Sequence, residues 1–299
     1  MKRQLIIDTE YAGQRLDKFL SSQLDSLSRT KIHSLIKQGF VFVDGKVKKA
    51  SFLIRQDQQV SIIFKEEKKE LKPFDFAVKI IYEDSDILVI DKPPGLVVHP
   101  PQEGHHKTLV NALIYLKKEL SLSGNALRPG VVHRLDKETS GVMVLAKNEH
   151  SYNSLVAQFK ERKVSKEYRA IVWGKIKKEK MLIDLPLTRD TKNRLKMKVS
   201  FLRAKQAHTG LEVLAHLDGA TYLSLRPRTG RMHQIRVHLK FLGFPIVGDR
   251  KYGIKDDYKE LFLHAKELSF THPREAKLLK FQSTLPDKFS KFISEHKER

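Results

Sequence analysis

The chain has 299 residues, 40% of them hydrophobic, enough for a large domain with its own core and a smaller companion. Lys and Arg number 57 against 35 Asp and Glu, a formal net charge of +22 that points to a polyanionic partner, nucleic acid before membrane. Cysteine is absent, which excludes disulfides, thiolate catalysis and cysteine-ligated metal or iron–sulfur sites.

No apolar run is long enough to span a bilayer, and the N-terminal MKRQLIIDTEYAG has too short an apolar core for a secretory leader. A cytoplasmic protein is expected. Residues 15–24 place Leu16, Phe19, Leu20 and Leu24 on one helical face. Ser28 fits an N-cap for a second short helix, with Ile32, Leu35 and Ile36 inward and Gly39 at its end. Phe40–Val43 reads as a strand, Asp44-Gly45 as a tight hairpin turn and Val60–Phe64 as a closing strand. Arg15, Arg29, Lys31 and Lys37 stand at the outward positions of the helices. The charged run 65–72 reads as a solvated linker.

A second domain opens with two strands, Ile80–Asp84 and Ile87–Asp91, joined by a hairpin turn and stopped by Lys92-Pro93-Pro94-Gly95. Helices are expected at 108–120 and 149–160, a strand at 166–174, and short strands from 183 to 225. Residues 188–198, with Arg194, read as an exposed basic loop. Many short strands with few helices give an α+β fold built on a large mixed sheet.

Two polar constellations stand out. In the first, Val131-Val132 runs into His133-Arg134-Leu135-Asp136-Lys137-Glu138-Thr139-Ser140-Gly141 before an apolar strand, so a loop held between strands presents a single aspartate among cations and hydroxyls. The second is Arg228–Leu239, with Arg231, His233, Arg236 and His238. The spacing of His233 and His238 does not place both on one metal if the segment is a strand or irregular, and no two-metal carboxylate cluster is apparent. Walker-type loop, GxGxxG and GxSxG patterns are absent. What remains is a carboxylate acting as nucleophile or base, kept ionised by a nearby arginine. On local physics alone, Asp136 serves equally as a turn cap.

The N-terminal segments RLDKFL, SRTKIHSLIKQG and VFVDGK resemble the S-four RNA-binding domain. HRLDKETSG, KEYRAIVWG and TGRMHQIRVHL, in this order, resemble the motifs of the RluA-type pseudouridine synthases, and VIDKPPGLVVHP and FLHA match as well. The resemblance implies a small α+β RNA-binding domain at 13–64, a linker at 65–75, and at 76–299 a catalytic domain of the pseudouridine synthase fold with a mostly antiparallel sheet. It implies isomerisation of uridine in RNA without metal, nucleotide or redox cofactor. Large-subunit ribosomal RNA is the expected substrate. Transfer RNA, or a non-catalytic role in ribosome assembly, is the alternative.

By the same resemblance Asp136 is the catalytic aspartate, acting on the sugar or on the base. Tyr168 packs against the uracil ring. Arg236 pairs with Asp136, with Arg231 as the alternative. Arg134 fills the gap left in the RNA stack when the target base flips out. His133, Arg231, Arg194 and the N-terminal Arg15, Arg29, Lys31 and Lys37 are expected RNA contacts. A monomer is expected.

Overall fold

The computed structural model describes residues 2–24, 27, 29–63, 71–101 and 105–297, with Lys2 and Lys31 described by backbone alone. The expected cap Ser28 and residues 65–70 of the expected linker lie outside the described residues. The chain divides into two units, Met1–Lys68 and Lys69–Arg299.

In the first unit β1 (Lys2–Ile6), β2 (Val41–Val43), β3 (Lys46–Val47) and β4 (Gln59–Ile63) form an antiparallel sheet of order β1-β4-β2-β3. Two short helices, α1 (Leu16–Gln23) and α2 (Arg29–Lys37), accompany it. Leu16, Phe19 and Leu20 of α1 and Ile32, Leu35 and Ile36 of α2 share one core with Val41, Val43, Val60 and Ile62. Asp44 and Gly45 both have positive φ, the geometry that matches a two-residue turn to the twist of its strands. Strand β1 departs from the sequence reading, which starts this unit at residue 13. Its two apolar residues, Leu5 and Ile6, are adjacent and follow three polar ones, so no alternation marks a strand.

The second unit is built on a nine-stranded sheet. Its members are β5 (Lys79–Glu83), β6 (Ile87–Lys92), β7 (Ser140–Ala146), β8 (Ser165–Trp173), β9 (Lys180–Asp184), β12 (His208–Leu217), β13 (Ala220–Pro227), β14 (Leu263–Thr271) and β15 (Leu278–Gln282). Strands β10 (Leu187–Arg189) and β11 (Met197–Val199) form a separate hairpin. The order is β5-β6-β7-β14-β8-β13-β12-β9, with β15 also on β14. All pairs are antiparallel except β7 with β14, so the sheet is large, mixed and mostly antiparallel. Among the described residues the helices of the unit are α3 (Leu109–Tyr115), α4 (Glu149–Lys160), α5 (Gln234–Phe241) and α6 (Asp287–Glu295).

The continuous apolar runs of β6 and β7 follow from burial on both faces. Leu88, Ile90, Met143 and Leu145 join a core with α3, while Ile87, Val89, Val142 and Val144 join another with Leu155 of α4. A strand alternates its side chains, so covering both sides leaves no polar position to show the alternation.

Three segments differ from their sequence reading. The expected basic loop at 188–198 is largely the β10–β11 hairpin, with an exposed tip that carries Arg194. The helix expected at 108–120 ends at Tyr115, and Lys117 beyond it takes a left-handed φ of 53°. Residues 234–241 are a helix, not a strand or irregular segment. Gln234 through Leu239 are all buried, so no polar face marks the helical period.

Gly141 sets the approach of the central parallel pair. Its φ is +118°, and a Cβ there would lie 2.2 Å from the Ala265 carbonyl oxygen. Gly141→Ala is expected to cost about 2–5 kcal/mol, the sum of backbone strain and overpacking. A urea melt that reads less than about 1 kcal/mol would show that β14 yields without strain.

Candidate active site

The loop 133–139 enters the sheet at its parallel pair. Ala265 of β14 faces Gly141 of β7 on one side and Tyr168 of β8 on the other. The register therefore places Tyr168 two strands, about 10 Å, from the root of the Asp136 loop. Strand alternation turns Lys166 and Tyr168 toward the cleft, while Glu167 pairs with Arg169 and Arg226.

The loop is tied at both ends. His133 Nε2 accepts from the Val144 backbone N–H at 3.1 Å, and its ring stacks on Phe159 with centroids 4.6 Å apart. Beneath the loop, the fully buried Lys92 ammonium donates to the carbonyls of Pro93 at 2.7 Å, Leu96 at 2.9 Å and Lys137 at 3.1 Å. Burial pushes its pKa down to about 7, opposed by the nearby charges of Asp136 and Glu138. The Gly95 N–H donates to the same Lys137 carbonyl at 2.9 Å, so the KPPG turn is clamped under the Asp136 loop.

The opposite wall is the start of α5. Gln234 holds it: its side chain accepts from the Thr229 hydroxyl at 2.7 Å and the Arg231 N–H at 3.0 Å, and donates to the His208 carbonyl and Thr209 hydroxyl. The preceding His233 takes a left-handed φ of 56°. Arg236, buried in the first turn, donates from Nε and Nη2 to both oxygens of Asp249, at 2.7 and 2.6 Å. Its third nitrogen, Nη1, lies 3.6 Å from Asp136 Oδ2. His233 Nε2 lies 3.9 Å from the same oxygen.

The cleft between these walls has a volume of about 660 Å³. Among the described residues, six arginines and two lysines line it with a single carboxylate, Asp136. Burial and the charge of Asp136 both raise the Tyr168 phenol above its ordinary pKa, so it is a neutral hydroxyl. Lys166 projects into the cleft from β8 with its pKa lowered by burial.

The structure thus gathers Asp136, Tyr168, Arg236, Arg134, Arg231 and His133 around one cleft. Of the two arginines weighed for Asp136, Arg236 is the one within 4 Å, while Arg231 Nε donates to the Gln206 carbonyl. Arg134 is exposed on the rim, and Arg194 is exposed at the hairpin tip outside the lining. In the first unit Arg29 and Lys37 are exposed and Arg15 is paired with Asp17, while the Lys31 side chain lies outside the described residues.

Sequence reasoning missed Asp249, Tyr252, Lys92 and Lys166. Asp249 and Tyr252 sit in GDRKYG, whose two glycines bracketing charged residues were the available signal. Asp84, Asp86 and His272 also converge, at the β5–β6 turn away from this cleft. Arg274, Asn148 and Ser151 already occupy the Asp86 oxygens there, and Tyr82 and His272 bond to Asp84.

Residues 86–241 match the RNA pseudouridylate synthase family, and residues 14–60 match the S4 domain. The chain belongs to the RNA pseudouridylate synthase family. It is 39% identical to an uncharacterised RNA pseudouridine synthase of Bacillus subtilis, over 95% of this chain and 94% of that one. It is 38% identical to the ribosomal large subunit pseudouridine synthase D of Borreliella burgdorferi, over 94% and 89%. A solved structure, the human RNA pseudouridylate synthase domain containing 1, superposes with a TM-score of 0.59 and 29% identity, over 70% of this chain and 83% of that one. The chain is therefore an RNA pseudouridine synthase. Among the described residues no helix is long and apolar enough to cross a membrane.

Four histidines, His99 and His264 buried and His133 and His233 partly buried, are expected to make this synthase acid-sensitive. Burial lowers the pKa of His99, His233 and His264 to about 4 and that of His133 to about 3. Below about pH 6.5 the unfolded chain binds protons that the folded histidines refuse. Stability is therefore expected to fall as pH drops from 6.5 toward 4, and to be insensitive to these groups above 7. Urea midpoints at pH 7.5 and 5.0 check this, and an equal midpoint at both would contradict it.

Proposed function

We propose that this synthase isomerises specific uridines in large-subunit ribosomal RNA, with Asp136 as the reacting carboxylate. The observation that carries the reading is the cleft itself: one carboxylate among the described lining residues, facing a partly buried tyrosine, in a lining otherwise rich in cations. The names of the large-subunit relatives support the choice of RNA.

The reaction breaks the bond from the sugar C1′ to uracil N1 and forms one from C1′ to C5. C5 loses a hydrogen and N1 gains one, so atoms balance without an external oxidant, reductant or nucleotide. A stacked uridine reaches Asp136 only by flipping out, at a cost of a few kcal/mol. Arg134, exposed at the rim, takes the vacated place in the stack, since a planar guanidinium both stacks and hydrogen-bonds. Tyr168 packs against the uracil ring. Arg236 steadies the Asp136 carboxylate as charge redistributes between sugar and base. The remaining cleft cations, the tip at Arg194 and the basic helices of residues 13–64 bind phosphates, which fixes register and makes affinity salt-dependent.

Release of tritium from C5-labelled uridine, followed by mapping of the product, tests both parts. Activity on large-subunit ribosomal RNA transcripts is expected. Modification confined to transfer RNA would move the substrate, and tight RNA binding without tritium release would replace catalysis by a binding role.

A further inference from the structure

Tyr252 stands between the basic hairpin and Asp136. Its hydroxyl accepts the Met197 backbone N–H of β11 at 2.7 Å, and it lies 2.7 Å from His233 Nδ1. A phenol has one proton, and with the Met197 hydrogen bond accepted, that proton is directed to the imidazole. Burial keeps His233 neutral by lowering its pKa to about 4. A neutral imidazole that accepts at Nδ1 carries its hydrogen on Nε2. Nε2 is the nitrogen that faces Asp136 Oδ2, 3.9 Å away.

We infer that His233 is a positioning residue for Asp136, its tautomer set by Tyr252, and that Tyr252 links the carboxylate to the backbone of the basic hairpin. This deepens the reading above and rests on Asp136 as the reacting carboxylate. The separation of 3.9 Å is about 1 Å beyond a hydrogen bond. Such contacts tighten in the substrate complex. RNA held by the hairpin acts on Met197, and through Tyr252 and His233 it closes the gap to Asp136. Two further observations fit a built device. Tyr252 is 5% exposed, with its ring 5.2 Å from the Arg236 guanidinium, so the same side chain braces both donors that face Asp136. His233 takes a left-handed backbone of φ 56°, a conformation uncommon outside glycine that its surroundings help hold.

The test uses the full chain, its Tyr252→Phe and His233→Asn variants, and a large-subunit ribosomal RNA transcript with tritium at uridine C5. Asparagine tolerates the left-handed region, so H233N keeps the backbone and removes the ring. Tyr252→Phe is expected to lower kcat roughly tenfold, the scale of one lost hydrogen bond, with KM within about twofold. H233N is expected to lose at least as much. Nitrogen-15 spectra of ring-labelled histidine are expected to show His233 as the Nε2–H tautomer in the unmodified chain and as a mixture in Tyr252→Phe. Wild-type kcat in both variants, or an Nδ1–H tautomer in the unmodified chain, overturns the inference. A fully active Asp136→Asn protein would instead overturn the reading on which it rests.

Discussion

Asp136→Asn is expected to abolish pseudouridine formation while RNA binding stays at or slightly above the wild-type level. Asparagine fills nearly the same volume, and the carboxylate it replaces is 17% exposed, so the fold has little to lose. Its Arg236 contact of 3.6 Å is longer than a hydrogen bond, and Arg236 keeps its two bonds to Asp249. What disappears is the single carboxylate of a cleft lined by eight cations. A group that reacts or moves a proton contributes on the order of 10²–10⁴ in rate, so a loss of at least about 100-fold is expected. RNA affinity gains, because one charge that repels phosphate is gone. Tritium release and a filter-binding titration separate the two effects. Activity within tenfold of wild type would remove Asp136 from the chemistry, and a parallel loss of binding would make it a structural residue.

The place of Asp136 in a polar loop before a strand is legible in the sequence because that pattern is local, while its role is not. Two apolar segments flank a polar loop, and the aspartate is the acidic group in HRLD. Tyr168 lies on a strand whose apolar character is also local. The strand and hairpin assignments at Asp44-Gly45, 80–91 and 166–174 hold for the same reason: each depends on short-range alternation or on a turn that only certain residues make. The α5 segment fails because burial on every side erases its period. Asp249 is hidden for a different reason. It lies 13 residues beyond Arg236, in a turn whose own N–H groups at Lys251 and Tyr252 it caps, so locally it reads as an ordinary turn aspartate. Only the fold shows that the same carboxylate grips Arg236. Lys92 is similar: before two prolines it reads as a strand end, and its burial against Lys137 comes from a contact 45 residues away.

Asp249→Asn is accordingly expected to damage stability and catalysis together, more than its distance from the substrate suggests. The Arg236 and Asp249 side chains are 5% and 1% exposed. Burial pushes the Asp249 carboxyl up, and the hydrogen bonds and charge of Arg236, together with the Tyr252 and Lys251 backbone N–H groups, more than reverse this and hold it below the usual range. Removing the charge leaves a buried guanidinium whose remaining anion is Asp136. Breaking one half of a buried pair costs about 3–5 kcal/mol. Arg236 then follows Asp136, and a displacement of about 1 Å in such a group costs up to roughly 100-fold in rate. Urea melts and tritium release measure the two losses. The double variant Asp249→Asn with Arg236→Met decides the cause. If the stability loss comes from a stranded charge, removing the arginine as well restores part of it, and the double variant is more stable than the two single losses predict. Additive losses would show that the two side chains do not sense each other, and the support for Arg236 would then have to come from its packing against Tyr252.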